Sequence, residues 1–161
     1  MMRTATMEDL PALDRIYEAA RAYMRASGNP TQWGTTDPPR EKLERDIARG
    51  ELQVICDEDG VPHAAFAFVM GEDPTYGKIW DGDWTSDEAY GTIHRVASDG
   101  TIHGVFEQCL EYCKGKINYI RADTHENNKT MQHLLTKNGF VRCGIIHVAD
   151  GTPRLAYEYR V

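Results

Sequence analysis

The stretch Asp123-Thr124-His125-Glu126-Asn127-Asn128-Lys129-Thr130-Met131-Gln132-His133-Leu134-Leu135-Thr136-Lys137-Asn138-Gly139-Phe140 decides the fold. It reads as the end of a strand, a helix capped by Asn127 or Asn128, and the start of another strand. An asparagine side chain accepts from main-chain N–H groups that a helix start leaves without partners. Met131, Leu134 and Leu135 then form an apolar helical face, and Gly139 supplies the stop.

The pattern extends in both directions. Arg3 to Thr6 alternate briefly, and Glu8-Asp9 open a helix whose apolar positions are Leu10, Leu13, Tyr17, Ala20 and Met24, ending near Gly28. The turn-forming stretch from Gly28 to Pro39 is a loop carrying Trp33, and a short helix with Leu43 and Ile47 on one face follows up to Gly50. Leu52 to Cys56 and Ala64 to Met70 make a hairpin about Asp59-Gly60. Periodicity weakens from Gly71 to Tyr90, where Ile79 to Trp84 suit a small strand or turn within a long functional connection.

Thr92 to Ala97 is the next strand. Ser98-Asp99-Gly100 offer an N-cap to a helix bearing Ile102, Val105, Phe106, Cys109, Leu110 and Cys113. Strands at Ile117 to Asp123, Phe140 to Val148 and Arg154 to Arg160 complete the chain, the last two meeting at Asp150-Gly151. The expected class is α/β (α+β), a mixed central sheet in the order β-α-α-β-β-β-α-β-α-β-β. At 161 residues a single domain, 1-161, is expected.

This order, with the block from Asp123 to Phe140, resembles the GNAT superfamily of N-acetyltransferases over essentially the whole chain. In that family's second signature an asparagine precedes an apolar helix and a Gly-Phe pair, places held here by Asn128, Met131, Leu134, Gly139 and Phe140. The resemblance implies acetyl-CoA as co-substrate and Asn128 as one of its contacts. One departure matters. Leu135 stands where the family often has a tyrosine that protonates the departing thiolate, and leucine cannot do so.

The first signature, a strand leading into an Arg/Gln-x-x-Gly-x-Gly/Ala loop, is matched loosely by Ile93 to Gly104. By resemblance Val96, Ala97 and Ser98 line the pantetheine arm, with Val96 and Ser98 presenting main-chain groups and one N–H polarising the thioester carbonyl. Gly100, Thr101, His103 and Gly104 face the pyrophosphate, where glycines permit close backbone approach at a helix start. The implied chemistry is acetyl transfer to a primary amine by direct attack in a ternary complex. A non-catalytic acyl-CoA-binding regulatory or interaction module is the alternative, motivated by Leu135 and the imperfect loop.

An attacking amine must be neutral, so a base is required. His94, Asp123, His125 and Glu126 are candidates, each equally able to serve as a strand-end or cap contact. Tyr157 is a candidate replacement acid, or a core residue. Asn29, Gln32, Trp33, Tyr76, Trp80, Trp84 and Tyr90 are candidate acceptor contacts, because the family builds its acceptor pocket from these two connections. Glu72, Asp73, Asp81, Asp83, Asp87 and Glu88 surround the second, and acid with aromatic walls suits an alkylammonium group. A solvated acidic loop pinned by tryptophans explains the same residues. Asp123, His125 and His133 lack recognised metal spacing, and no metal is expected.

Composition narrows the partners. Hydrophobic residues make up 41%, charged residues 27%, and the net charge is -7, so nucleic acid is a poor partner and a small-molecule or peptide amine acceptor is more compatible. No apolar run reaches the ~18 residues that a membrane requires. The first residues lack the apolar core of a signal peptide, and Cys56, Cys109, Cys113 and Cys143 form no C-x-x-C pair, so a cytoplasmic location with reduced thiols is expected. Homodimers are common in the family, and the oligomeric state stays open.

Overall fold

A computed structural model describes all residues from Met1 to Val161. Its elements are β1 (Met2–Thr4), α1 (Leu10–Ala26), α2 (Arg40–Ala48), β2 (Leu52–Cys56), β3 (Pro62–Met70), β4 (Gly91–Ser98), α3 (Val105–Lys114), β5 (Tyr119–Thr124), α4 (Lys129–Lys137), β6 (Val141–His147) and β7 (Pro153–Arg160). Short 3-10 turns at Met7–Asp9 and Pro74–Tyr76 are the only additions to the order expected from the sequence. No helix is long and apolar enough to cross a membrane. The residues fall into two compact units, 1–68 with 94–109 and 69–93 with 110–161.

In the first unit β1, β2 and β3 follow one another as antiparallel neighbours, and the second half of β4 comes next to β3. Residues of β2 are buried throughout, which is why that strand is continuously apolar but for Gln53. Helices α1 and α2 bring Leu13, Ile16, Tyr17, Leu43 and Ile47 onto Leu52, Val54, Ala65, Ala67 and Ala97. The apolar spacing along α1 that marks it in the sequence is this buried stripe. Its start is tied to β1: Asp9 accepts from the Thr6 N–H at 2.8 Å and from both Arg3 Nη atoms at 2.8 Å.

In the second unit the order is β4-β5-β7-β6. β4 and β5 run parallel over three pairs, Gly91 with Ile120, Thr92 with Arg121 and Ile93 with Ala122. β7 is antiparallel to both β5 and β6. Tyr76, Tyr90, Tyr119, Ile146 and Ala156 form a second core, with Ile79, Trp84 and Val148 packed against it.

Strand ends shift by one or two residues from the sequence reading, and two differences are larger. Ile79 to Trp84 form no strand but a single bridge, in which the main chains of Trp80 and Ile145 exchange hydrogen bonds of 2.8 Å in both directions. Helix α3 begins at Val105, three residues beyond Ile102, because the Ser98 and Asp99 side chains close a turn instead of capping a helix.

Candidate functional site

Within the first unit, β4 passes through an unusual residue. Arg95 has φ 55, a left-handed conformation that a long L side chain rarely adopts. Its guanidinium makes a two-pronged contact with Asp46 of α2, Nε to Oδ2 at 2.8 Å and Nη2 to Oδ1 at 3.0 Å. Its carbonyl accepts from the Tyr17 hydroxyl at 2.6 Å. Val96 and Ser98 lie half-buried beyond this bend, and Ala97 points into the core.

The loop that follows is organised by side chains. Ser98 Oγ accepts from the Gly100 N–H at 3.0 Å and Asp99 Oδ1 from the Thr101 N–H at 2.9 Å. Gly100 (φ 87) and Gly104 (φ 67) take conformations in which a side chain would be strained, and their Cα atoms face open space. The main-chain N–H groups of Ile102, His103 and Gly104 make no hydrogen bond within the chain. The Gly100 and Thr101 amides, expected to face a pyrophosphate, are therefore already engaged, and the available donors sit closer to α3.

Asp99 also belongs to a cluster that sequence reasoning misses. His63 Nδ1 lies 2.7 Å from Asp99 Oδ2 and its Nε2 lies 2.8 Å from Asp57 Oδ2, while Arg15 reaches Asp99 Oδ2 at 3.1 Å. Residues 15, 57, 63 and 99 share no local spacing, so no sequence signal marks them.

In the second unit Asp123, the last residue but one of β5, is half-exposed, and the buried Tyr76 hydroxyl donates to its Oδ2 at 2.6 Å. Burial, and then the Asp123 charge, raise the Tyr76 hydroxyl well above its ordinary range, so it stays a donor. His125 accepts the Asn127 N–H on Nδ1 at 3.0 Å, which places the ring proton on Nε2. Burial, with the Arg154 charge beside it, lowers its pKa, so the ring is neutral at neutral pH. His125 thus presents an N–H and not a lone pair. Glu126 is exposed. His94 is half-buried on the first unit's part of β4.

Asn128 is the N-cap of α4, its Oδ1 accepting from the Met131 N–H at 2.9 Å. Leu135 is fully buried. Tyr157, the candidate acid, is buried and pairs with Ala122, whereas Asp123 pairs with Ala156. Side chains alternate along strands, so Tyr157 lies on the opposite face of the sheet from Asp123.

The expected acceptor contacts divide. Trp84 and Tyr90 do not form an open aromatic wall, because the guanidinium of buried Arg121 lies 4.0 Å from the centre of each ring. The cation held by this box is the protein's own. Arg121 also donates to Ser86 O at 2.8 Å, and the Tyr119 hydroxyl donates to Glu158 at 2.6 Å, with Thr85 donating to the same carboxylate through its N–H and its hydroxyl. Tyr76 is core and Asn29 is buried, its Nδ2 on Gln32 at 2.8 Å. Gln32 and Trp33 are half-buried, Trp33 stacking at a tilt on Tyr17 at 5.7 Å, and Trp80 is 39% exposed.

The mixed sheet, the bent β4 and the glycine loop before α3 define an acetyltransferase-type fold, and comparison with solved structures agrees. A GNAT-family acetyltransferase from Streptococcus agalactiae 2603 has a TM-score of 0.89 at 32% identity, covering 100% of this chain and 95% of its own. At that identity over the full length, the chain belongs to the GNAT family of acetyltransferases. Two more distant structures share the fold. A ribosomal-protein-alanine N-acetyltransferase from Brucella melitensis has a TM-score of 0.62 at 20% identity, covering 100% of this chain and 98% of its own. A phosphinothricin acetyltransferase from Sinorhizobium meliloti, in complex with acetyl-CoA, has a TM-score of 0.67 at 13% identity, covering 100% of this chain and 88% of its own. No protein-family model and no curated protein matches the sequence.

Proposed function

We propose that the protein moves an acetyl group from acetyl-CoA to a primary amine by direct transfer, with both substrates bound at once. The observation that carries this reading is the run of unpartnered N–H groups at Ile102, His103 and Gly104, immediately before α3, in a member of an acetyltransferase family. Such donors, reinforced by the positive end of a helix, suit the pyrophosphate of CoA. The pantetheine arm would run back along Ser98 to Val96, whose N–H then faces the thioester carbonyl as negative charge develops on its oxygen.

Asp123 is the proposed base, acting directly or through one water, with Tyr76 fixing one carboxylate oxygen and leaving the other to the incoming amine. His125, an N–H donor, orients the acceptor. Gln32, Trp33 and Trp80, each with surface left exposed, are the proposed acceptor contacts. With Leu135 buried and no acid in its place, CoA departs as the thiolate, tolerable for a thiol of pKa about 8.5. An acyl-cysteine route is disfavoured, since Cys109 and Cys113 are fully buried and burial pushes the Cys113 thiol up to about 12.

The test has two stages. Acetyl-CoA is titrated by calorimetry into the wild type and into Asn128→Ser, which preserves the helix cap but removes the amide; weaker binding by the variant is expected. CoA release is then followed across an amine panel. Asp123→Asn is expected to lower kcat by roughly 10²–10⁴-fold while acetyl-CoA still binds. Binding without amine-dependent CoA release would favour a non-catalytic acyl-CoA module, and no binding of any acyl-CoA would remove the reading.

A further inference from the structure

We propose that Tyr17 and Asp46 are positioning residues: they hold β4 in its left-handed bend at Arg95 and thereby aim the Val96 N–H at the acyl carbonyl of the bound thioester. The inference rests on the acetyl-transfer reading, and it concerns residues far from β4 in sequence.

The bend has two independent restraints on one residue. Asp46, only 2% exposed, grips the Arg95 guanidinium from α2, and Tyr17, fully buried, grips the Arg95 carbonyl from α1. A non-glycine residue at φ 55 persists where its surroundings over-determine it, and here each of two helices supplies one contact. A bend needed only for packing would have been met by glycine, which adopts this conformation without strain.

The direction of the Val96 N–H follows from covalent geometry. Arg95 C=O and Val96 N–H belong to one planar trans peptide and point in opposite directions. Fixing the oxygen on Tyr17 therefore fixes the N–H on the opposite side. Donation to the oxygen also polarises the peptide and strengthens its N–H as a donor. Tyr17 can do this at all relevant pH, since burial raises its hydroxyl well beyond its ordinary range. The core site alone would be filled as well by phenylalanine, so the hydroxyl, set 2.6 Å from the Arg95 oxygen, is the informative atom.

The experiment uses acetyl-CoA carrying a ¹³C-labelled acetyl carbonyl, observed by difference infrared spectroscopy on wild type, Tyr17→Phe and Asp46→Asn, with kcat measured on the best amine acceptor. In wild type the carbonyl band lies below its solution frequency. In Tyr17→Phe it returns toward the solution value, and kcat falls roughly 10- to 100-fold while the acetyl-CoA dissociation constant changes less than about twofold. The double variant Asp46→Ala with Arg95→Gly recovers most of the kcat that Asp46→Ala loses, because glycine needs no clamp.

A wild-type band and kcat in Tyr17→Phe, with only a lower melting temperature, would overturn the proposal and leave Tyr17 as packing. Should Tyr17→Phe not fold, Asp46→Asn tests the same bend independently, and an unshifted band and kcat there would overturn the proposal equally. A solution-like band in acetyl-CoA-bound wild type would overturn the proposal while leaving acetyl transfer standing. Failure of wild type to bind acetyl-CoA would remove both.

Discussion

His63 is the residue whose charge the structure dictates most plainly. Each ring nitrogen faces a carboxylate oxygen, Asp99 at 2.7 Å and Asp57 at 2.8 Å, and only the doubly protonated ring can donate to both, so this geometry favours the imidazolium. The hydrogen bonds to Asp99 and then Asp57 raise the His63 pKa above its ordinary value of 6.5. The folded protein therefore holds a proton that the unfolded chain releases, and stability falls as pH rises between the two values. His63 contributes fully below about 6.5 and loses its contribution as pH climbs through the raised folded value. The carboxylates impose the opposite limit. The His63 hydrogen bond lowers Asp57, and for Asp99 burial is outweighed by bonds from His63 and Thr101, so their contribution is lost in acid. The melting-temperature gap between wild type and His63→Gln is expected to be widest near pH 6 and to close toward alkaline pH. A gap independent of pH would mean that His63 contributes shape and not charge.

At the scale of elements, one side chain gathers the last part of the connection between β3 and β4. The Arg121 guanidinium on β5 lies 4.0 Å from the centres of both the Trp84 and Tyr90 rings and donates to Ser86 O, so one side chain contacts residues 84, 86 and 90 together. Desolvated cation–π contacts are worth about 2 kcal/mol, and a buried hydrogen-bond partner left alone costs about 1–3 kcal/mol. Arg121→Leu is expected to lower stability by roughly 3 kcal/mol, a fall of roughly 6–12 °C in melting temperature for a chain of this size. Calorimetry checks the size, and a double-mutant cycle with Trp84→Ala checks the coupling, which vanishes if the stack is incidental.

The same elements show where sequence reasoning reaches and where it stops. The order of helices and strands is legible because each buries an apolar stripe of the right period, as Leu13, Ile16 and Tyr17 do on α1. The start of α3 is not, because serine and aspartate close turns as readily as they cap helices, and here Ser98 and Asp99 close one. The Arg121 box resembles an acceptor wall in sequence because cation–π contacts join residues 84, 90 and 121, which no periodicity links. The Arg95 bend has no signature at all, since arginine at positive φ is imposed by Tyr17 and Asp46 from elsewhere in the chain.

Across the whole molecule the net charge of -7 acts on both proposed substrates, with opposite signs. Acetyl-CoA is a polyanion that must approach a negative protein before local donors at Ile102 to Gly104 can hold it. A protonated amine acceptor is drawn by the same field and would then give up its proton to the proposed base, Asp123. The reach of that field is set by salt, with a Debye length of about 30 Å at 0.01 M and about 8 Å at 0.15 M. Raising ionic strength across this range should therefore increase kcat/KM for acetyl-CoA, decrease it for a diamine acceptor, and leave an acceptor amine of zero net charge nearly unchanged, with kcat constant throughout. Steady-state kinetics at fixed pH with each substrate varied in turn measure all three. A fall in kcat/KM for acetyl-CoA would show that side-chain cations near the phosphates outweigh the global charge, and a diamine response identical to that of the neutral acceptor would mean that the exposed acids Glu72, Asp81, Asp83 and Asp87 serve hydration and do not steer substrate.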